Sequence, residues 1–135
     1  MKTIIAIIFS LVSLQALACP NISGTFKDED DNSLIIVQTK CEQLKWSDSE
    51  GSTNLITDNV ERVVEKDGDN IAYGKARFTN TDFVLELRVV YSGSVPEDFP
   101  THFLTSYRID KFNNMVEKIE STQGTSYVTF RRIAP

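Results

Sequence analysis

Few side chains in this sequence are equipped for catalysis or metal binding, and the first is His102, the single histidine among 135 residues. A zinc centre built on it would need thiolates or carboxylates at ligand spacing, and no such spacing exists. A Ser–His–Asp triad is assembled by the fold from residues far apart in the chain, so residue order alone leaves it open. The Gly-x-Ser-x-Gly nucleophile elbow is absent, and Ser92-Gly93-Ser94 is a turn tripeptide instead. His102 is therefore expected as an ordinary residue at a strand start. The 19 Asp and Glu residues allow many carboxylate pairs of the glycosidase kind, so no one pair stands out.

Asp28, Asp30 and Asn32 have the 1, 3, 5 spacing of a calcium-binding EF-hand loop, and Ile35 suits its apolar eighth position. The sixth position is Ser33 where glycine is needed, and the twelfth is Thr39 where a bidentate glutamate is needed. The run reads as a solvated turn. Asn21-Ile22-Ser23 matches a glycosylation sequon, which has meaning only in a eukaryotic secretory pathway and is taken as chance. The expectation is a protein that is not an enzyme and has neither metal nor cofactor.

Cys19 and Cys41 are the only cysteines. Between them Asp28-Glu29-Asp30-Asp31-Asn32 has turn composition, flanked by apolar runs at Phe26 and at Leu34 to Val37. A hairpin centred on Asp30 brings Cys19 opposite Cys41, where paired Cα atoms about 4.5 Å apart permit a disulfide. Closing a loop of this size contributes about 3 kcal/mol in the chain-entropy model.

The chain opens with Lys2, an apolar run from Ile4 to Leu14, and Ala16-Leu17-Ala18, the pattern of a signal peptide spanning 1–18 with cleavage after Ala18. The run is too short for a membrane anchor, which needs about 20 apolar residues. An even cysteine count in an exported chain supports the disulfide. Cleavage would also make Cys19 the first residue, where a bacterial lipoprotein carries its lipid. That signal prefers leucine three places before the cysteine and a small residue next, whereas Ala16 and Leu17 stand in the reverse order. A lipid on Cys19 would leave Cys41 unpaired, so the two fates compete. The expected location is the periplasm or the extracellular space, with a membrane-anchored lipoprotein as the alternative.

The remaining domain, 19–135, is long enough to bury a core of its own. The net charge of −5 becomes about −6 without Lys2, too acidic for general nucleic-acid binding. Three alanines stand against ten valines and eleven threonines, a strand composition. Phe83, Leu85, Leu87, Val89 and Tyr91 alternate with Val84, Glu86, Arg88 and Val90, the clearest period of two. Asp67-Gly68, Asn113-Asn114 and Gln123-Gly124 mark turns. Strands are expected near 21–27, 33–40, 42–47, 53–57, 60–66, 70–78, 82–91, 102–110, 114–121 and 125–133. The fold class is all-β, an antiparallel up-and-down barrel of eight to ten strands, with a β-sandwich as the alternative.

On segment 70–78, Ala72, Gly74 and Ala76 share one face opposite Tyr73, Lys75 and Arg77. The charged set must face water, so the small set faces inward and leaves room for a large neighbour or a ligand. Trp46, Ala72, Gly74, Ala76, Tyr91 and Tyr107 are the expected cavity residues. The longest connection, 92–100, carries Val95, Pro96 and Phe99, and reads either as a rigid crossover or as a lid and interaction loop.

Gly24-Thr25-Phe26 on the first strand and Arg131-Arg132 on the last resemble the lipocalin and wider calycin pattern, as does Thr81-Asp82-Phe83. In those barrels a Gly-x-Trp packs its ring against an arginine of the last strand. The resemblance implies that Gly24 and Phe26 meet Arg131 or Arg132 at the closed end of a barrel, through a cation–π contact and guanidinium hydrogen bonds. Phe26 stands where the family has tryptophan, and about four strands rather than two follow Thr81-Asp82-Phe83. The resemblance implies a small apolar ligand in the interior. The alternative is a secreted or envelope interaction module with a filled barrel, using its surface loops.

Overall fold

The computed structural model describes residues 18–135, so the expected signal peptide lies, except for Ala18, outside the described residues. Ten strands follow in chain order: Gly24–Lys27 (β1), Ser33–Thr39 (β2), Gln43–Asp48 (β3), Gly51–Ile56 (β4), Arg62–Asp67 (β5), Asn70–Phe78 (β6), Phe83–Val90 (β7), His102–Ile109 (β8), Met115–Ser121 (β9) and Gly124–Ala134 (β10). Each expected segment overlaps one of them. Among the described residues there is no helix.

The sheet order is β4-β3-β2-β1-β10-β9-β8-β7-β6-β5, every pairing antiparallel. Apart from β4 and β5, consecutive strands pair, and β1 joins β10, so the result is one nearly closed up-and-down barrel rather than a sandwich. No ladder joins β4 to β5. There the Asn59 N–H donates to Ala76 O at 2.9 Å, tying the connection to β6. Arg62, Glu65, Lys66 and Asp67 place charges along the exposed β5 edge, which discourages pairing with another chain.

Local chemistry sets the turns. Asp28 accepts the N–H groups of Asp30 and Asn32 at 2.9 and 2.8 Å, and the Asn32 amide at 2.9 Å. These bonds hold its carboxyl below the usual aspartate range. The acidic run is thus a self-capped turn. It centres the first hairpin on Asp30, with Phe26 opposite Leu34 and Gly24 opposite Ile36. Below the ladder, Cys19 and Cys41 form the disulfide, their Cα atoms 5.7 Å apart. The Asp67-Gly68 hairpin places Gly68-Asp69 in the turn, with Gly68 at φ +59°, a conformation that suits glycine.

Ladder partners share a face, so the pairing fixes what points inward. The lower end, where the chain enters β1, is filled. Ile22, Phe26, Leu34, Ile36, Leu44, Phe83 and Met115 are buried in one cluster, with Ala76 and Tyr107 at its upper side. Trp46, Val64, Phe78, Leu85, Ile109 and Phe130 pack against it. Full burial contributes roughly 1.5–3 kcal/mol for each large apolar side chain.

The wall is uneven in height. β1 has four residues and pairs only with Arg131, Arg132 and Ala134 of β10. The first hairpin turns back at that level, and Gly124 to Phe130 of β10 continue upward with β9 on one side only. At about 3.4 Å per residue this is roughly 20 Å of wall without a neighbour at β1. The outer surface carries charge: Glu86 bridges Lys75 at 3.2 Å and Arg77 at 2.8 Å, and Arg88 meets Glu61 at 2.8 Å. Exposed pairs of this kind are worth about 1 kcal/mol or less each.

Candidate functional site

Above the filled half, the inner faces of β6 to β10 have little opposite them. Leu87, Val89, Phe103, Ile119 and Val128 all point inward by their pairing, yet remain half-exposed, and none belongs to the core cluster. They form an apolar concave surface that water reaches from the upper end.

Its floor is built from β3, β8 and β9. The Trp46 ring meets Tyr107 edge-on, centroids 4.9 Å apart, so β3 reaches across the barrel to β8. The Tyr107 hydroxyl donates to Glu117 Oε1 at 2.8 Å. Glu117 faces inward because it pairs with Tyr107 on one side and Val128 on the other. Burial raises its pKa above the ordinary glutamate value, partly offset by the Tyr107 bond. Tyr107 is also pushed well up, first by burial and then by the Glu117 charge.

Glu117 was not legible as a site residue. Along β9 the inward set, Met115, Glu117, Ile119 and Ser121, is as mixed as the outward set, Val116, Lys118 and Glu120. Alternation therefore names no face. The one available signal is Met115 and Ile119 bracketing Glu117 at the same parity.

The expected cavity residues divide. Trp46 and Tyr107 come together at the floor, and Ala76 is buried. Ala72 lies half-buried on the wall opposite Val89. The room at Gly74 is taken by Val64, an extra residue between two β5–β6 pairs, whose Cγ1 lies 2.9 Å from where a Cβ would stand. Tyr91 sits at the rim, its ring 5.3 Å from Phe99 and its hydroxyl donating to Pro100 O at 3.3 Å. Pro96 O accepts the Phe99 N–H at 2.9 Å, and Val95 is exposed. The loop is thus pinned at its Phe99 end beside the open mouth.

At the closed end Phe26 and Arg132 meet, the guanidinium 4.7 Å from the ring centroid. Arg132 also donates to Ser23 O at 2.6 Å and Asn113 O at 3.0 Å. Arg131 points the other way and is exposed. The register shift between Thr25 and Phe26 leaves Ile133 as the extra residue and brings Arg132, not Arg131, over the ring. A Cβ on Gly24, at φ +153°, would lie 2.3 Å from the Arg132 guanidinium.

His102 is exposed on the outer side of β8, its Nδ1 3.0 Å from the Thr101 hydroxyl. Among the described residues no three His, Cys, Asp or Glu side chains group to hold a metal ion. No protein-family model matches the chain, and no curated protein matches it in sequence.

Proposed function

We propose that this chain is an exported small β-barrel that binds a small apolar molecule in its open upper half. The observation that carries this is the half-exposed inner face of Leu87, Val89, Phe103, Ile119 and Val128 above a closed floor. Apolar surface of that shape is where a ligand gains most from leaving water. The Phe26–Arg132 contact adds support, because it is the arrangement the lipocalin-like pattern implies. Export is supported by the sequence of residues 1–18 and by the disulfide. The Cys19 sulfur engaged in that disulfide is not free for a thioether lipid.

Trp46 is the single tryptophan and stands at the floor, so its emission reports on occupancy. Titration with alkanols, fatty acids and sterols should shift that emission with saturation. A flat response to the whole panel would reject the proposal.

A second possibility is a protein-interaction module, favoured by one observation. Ser121 to Phe130 contain no charged residue, and Gly124 to Phe130 form a one-sided strand edge. Such an edge is suited to accept an extended segment of a partner. Thr129→Lys should then abolish partner capture while the barrel remains folded. Loop 92–100 offers a different contact, and its deletion separates the two surfaces.

A further inference from the structure

We infer that the molecule held in the open half carries a protonated amine at one end, received by Glu117. This rests on the proposed apolar-ligand role and adds the chemical class of the head group.

Glu117 is an acidic side chain set into an otherwise neutral wall. Along its strand the inward neighbours are Met115 and Ile119, and across the ladders they are Tyr107 and Val128. Among the described residues no lysine, arginine or histidine forms an ion pair with it. The nearby cations are engaged elsewhere: Lys118 turns outward to Glu120 at 3.0 Å, and Arg132 is committed to Ser23 O, Asn113 O and the Phe26 ring. Tyr107 occupies Oε1, and no described side chain bonds Oε2. Oε2 keeps contact with solvent, yet partial desolvation of a carboxylate without a cation still carries a cost. An incoming ammonium supplies the missing charge and a charge-assisted hydrogen bond. The aromatic pair Trp46–Tyr107 beside it adds an electron-rich surface that also favours a cation. The apolar wall above then covers the ligand's hydrocarbon part. The opposing possibility is that the Tyr107–Glu117 bond only satisfies two polar groups within the fold.

The test uses three ten-carbon probes below their micellar concentrations: decylamine, decanol and decanoate, each read by Trp46 emission. Decylamine should bind about tenfold more tightly than decanol, and decanoate more weakly than both. Glu117→Gln should remove the amine preference. Glu120→Gln, on the outer face, should leave the preference intact, which separates the site from general attraction to an acidic protein. In the unmodified protein the preference should fade as pH falls from 7 towards 4.5, a readout that stands even where Glu117→Gln fails to fold. Tyr107, the titratable group bonded to Glu117, stays neutral through that range. Equal binding of decanol and decylamine would overturn the head-group inference and keep the apolar-ligand role. Binding of none of the three would overturn both.

Discussion

The Tyr107 hydroxyl donates to Glu117 Oε1 at 2.8 Å on the inner face of the barrel, at the level where the filled half ends and the open half begins. The bond joins β8 to β9 from within, while Trp46 on β3 presses against the same tyrosine from across the barrel. The distant β3 and the adjacent β8 and β9 thus converge on one side chain. Below it the interior is filled by buried apolar side chains, and above it an apolar wall is partly exposed to solvent.

Ionisation of Glu117 should cost stability at neutral pH. Its folded pKa is raised, so between 4.5 and that raised value the folded state holds more protons than the unfolded chain, and stability rises as pH falls through the window. Asp82 behaves oppositely. Its hydrogen bonds from Arg108, 2.9 Å for one of them, lower its pKa, so its contribution is complete above 3.8 and is lost as pH falls below. Urea unfolding from pH 7 to pH 3 should show Glu117→Gln more stable than the parent at pH 7, with the difference closing by 4.5. Asp82→Asn should lose stability at pH 7 and flatten the acid limb.

Removing the disulfide by Cys19→Ser with Cys41→Ser should lower stability by about 3 kcal/mol, seen as a drop in Tm of roughly 10 °C. The intact mass of the secreted protein is the companion measurement. It should be that of the chain from Cys19 less two hydrogens, and an added acyl mass would contradict the bridge.

Val64 fills the space beside Gly74, so Gly74→Ala should destabilise by about 1–3 kcal/mol through contact with Val64 Cγ1 and Leu85 Cδ1. Pairing it with Val64→Ala should recover much of that loss in thermal unfolding. If space at Gly74 were open, Gly74→Ala would be neutral and the second change harmful by itself.

Phe26→Ala should cost about 3–5 kcal/mol, because a fully buried ring is lost from the closed end. Arg132→Lys should also destabilise, since a lysine cannot reproduce both carbonyl contacts and the stacked geometry over the ring. Arg131→Lys, on the outer face, should leave unfolding nearly unchanged, and that contrast checks the register at the β1–β10 seam.

Ten strands, their antiparallel order as a meander and the Asp30-centred hairpin with its disulfide were all legible in the sequence. Each rests on local information: a period of two in β7, turn residues such as Asp28 and Gly68, and the distance along the chain from Cys19 to Cys41. The choice of Arg132 over Arg131 was not legible, because it depends on a bulge at Ile133 in a pairing between residues over a hundred positions apart. The inward turn of Val64 onto Gly74 has the same origin, a bulge that shifts one strand against its neighbour. Nor does any local pattern state that β1 stops after four residues while β10 runs for eleven. That mismatch leaves the upper wall uncovered, and it sets the inward-facing Glu117 beside that uncovered wall. Strand identity is set by neighbours in sequence; what each strand faces is set by closure of the barrel, which only the whole chain decides.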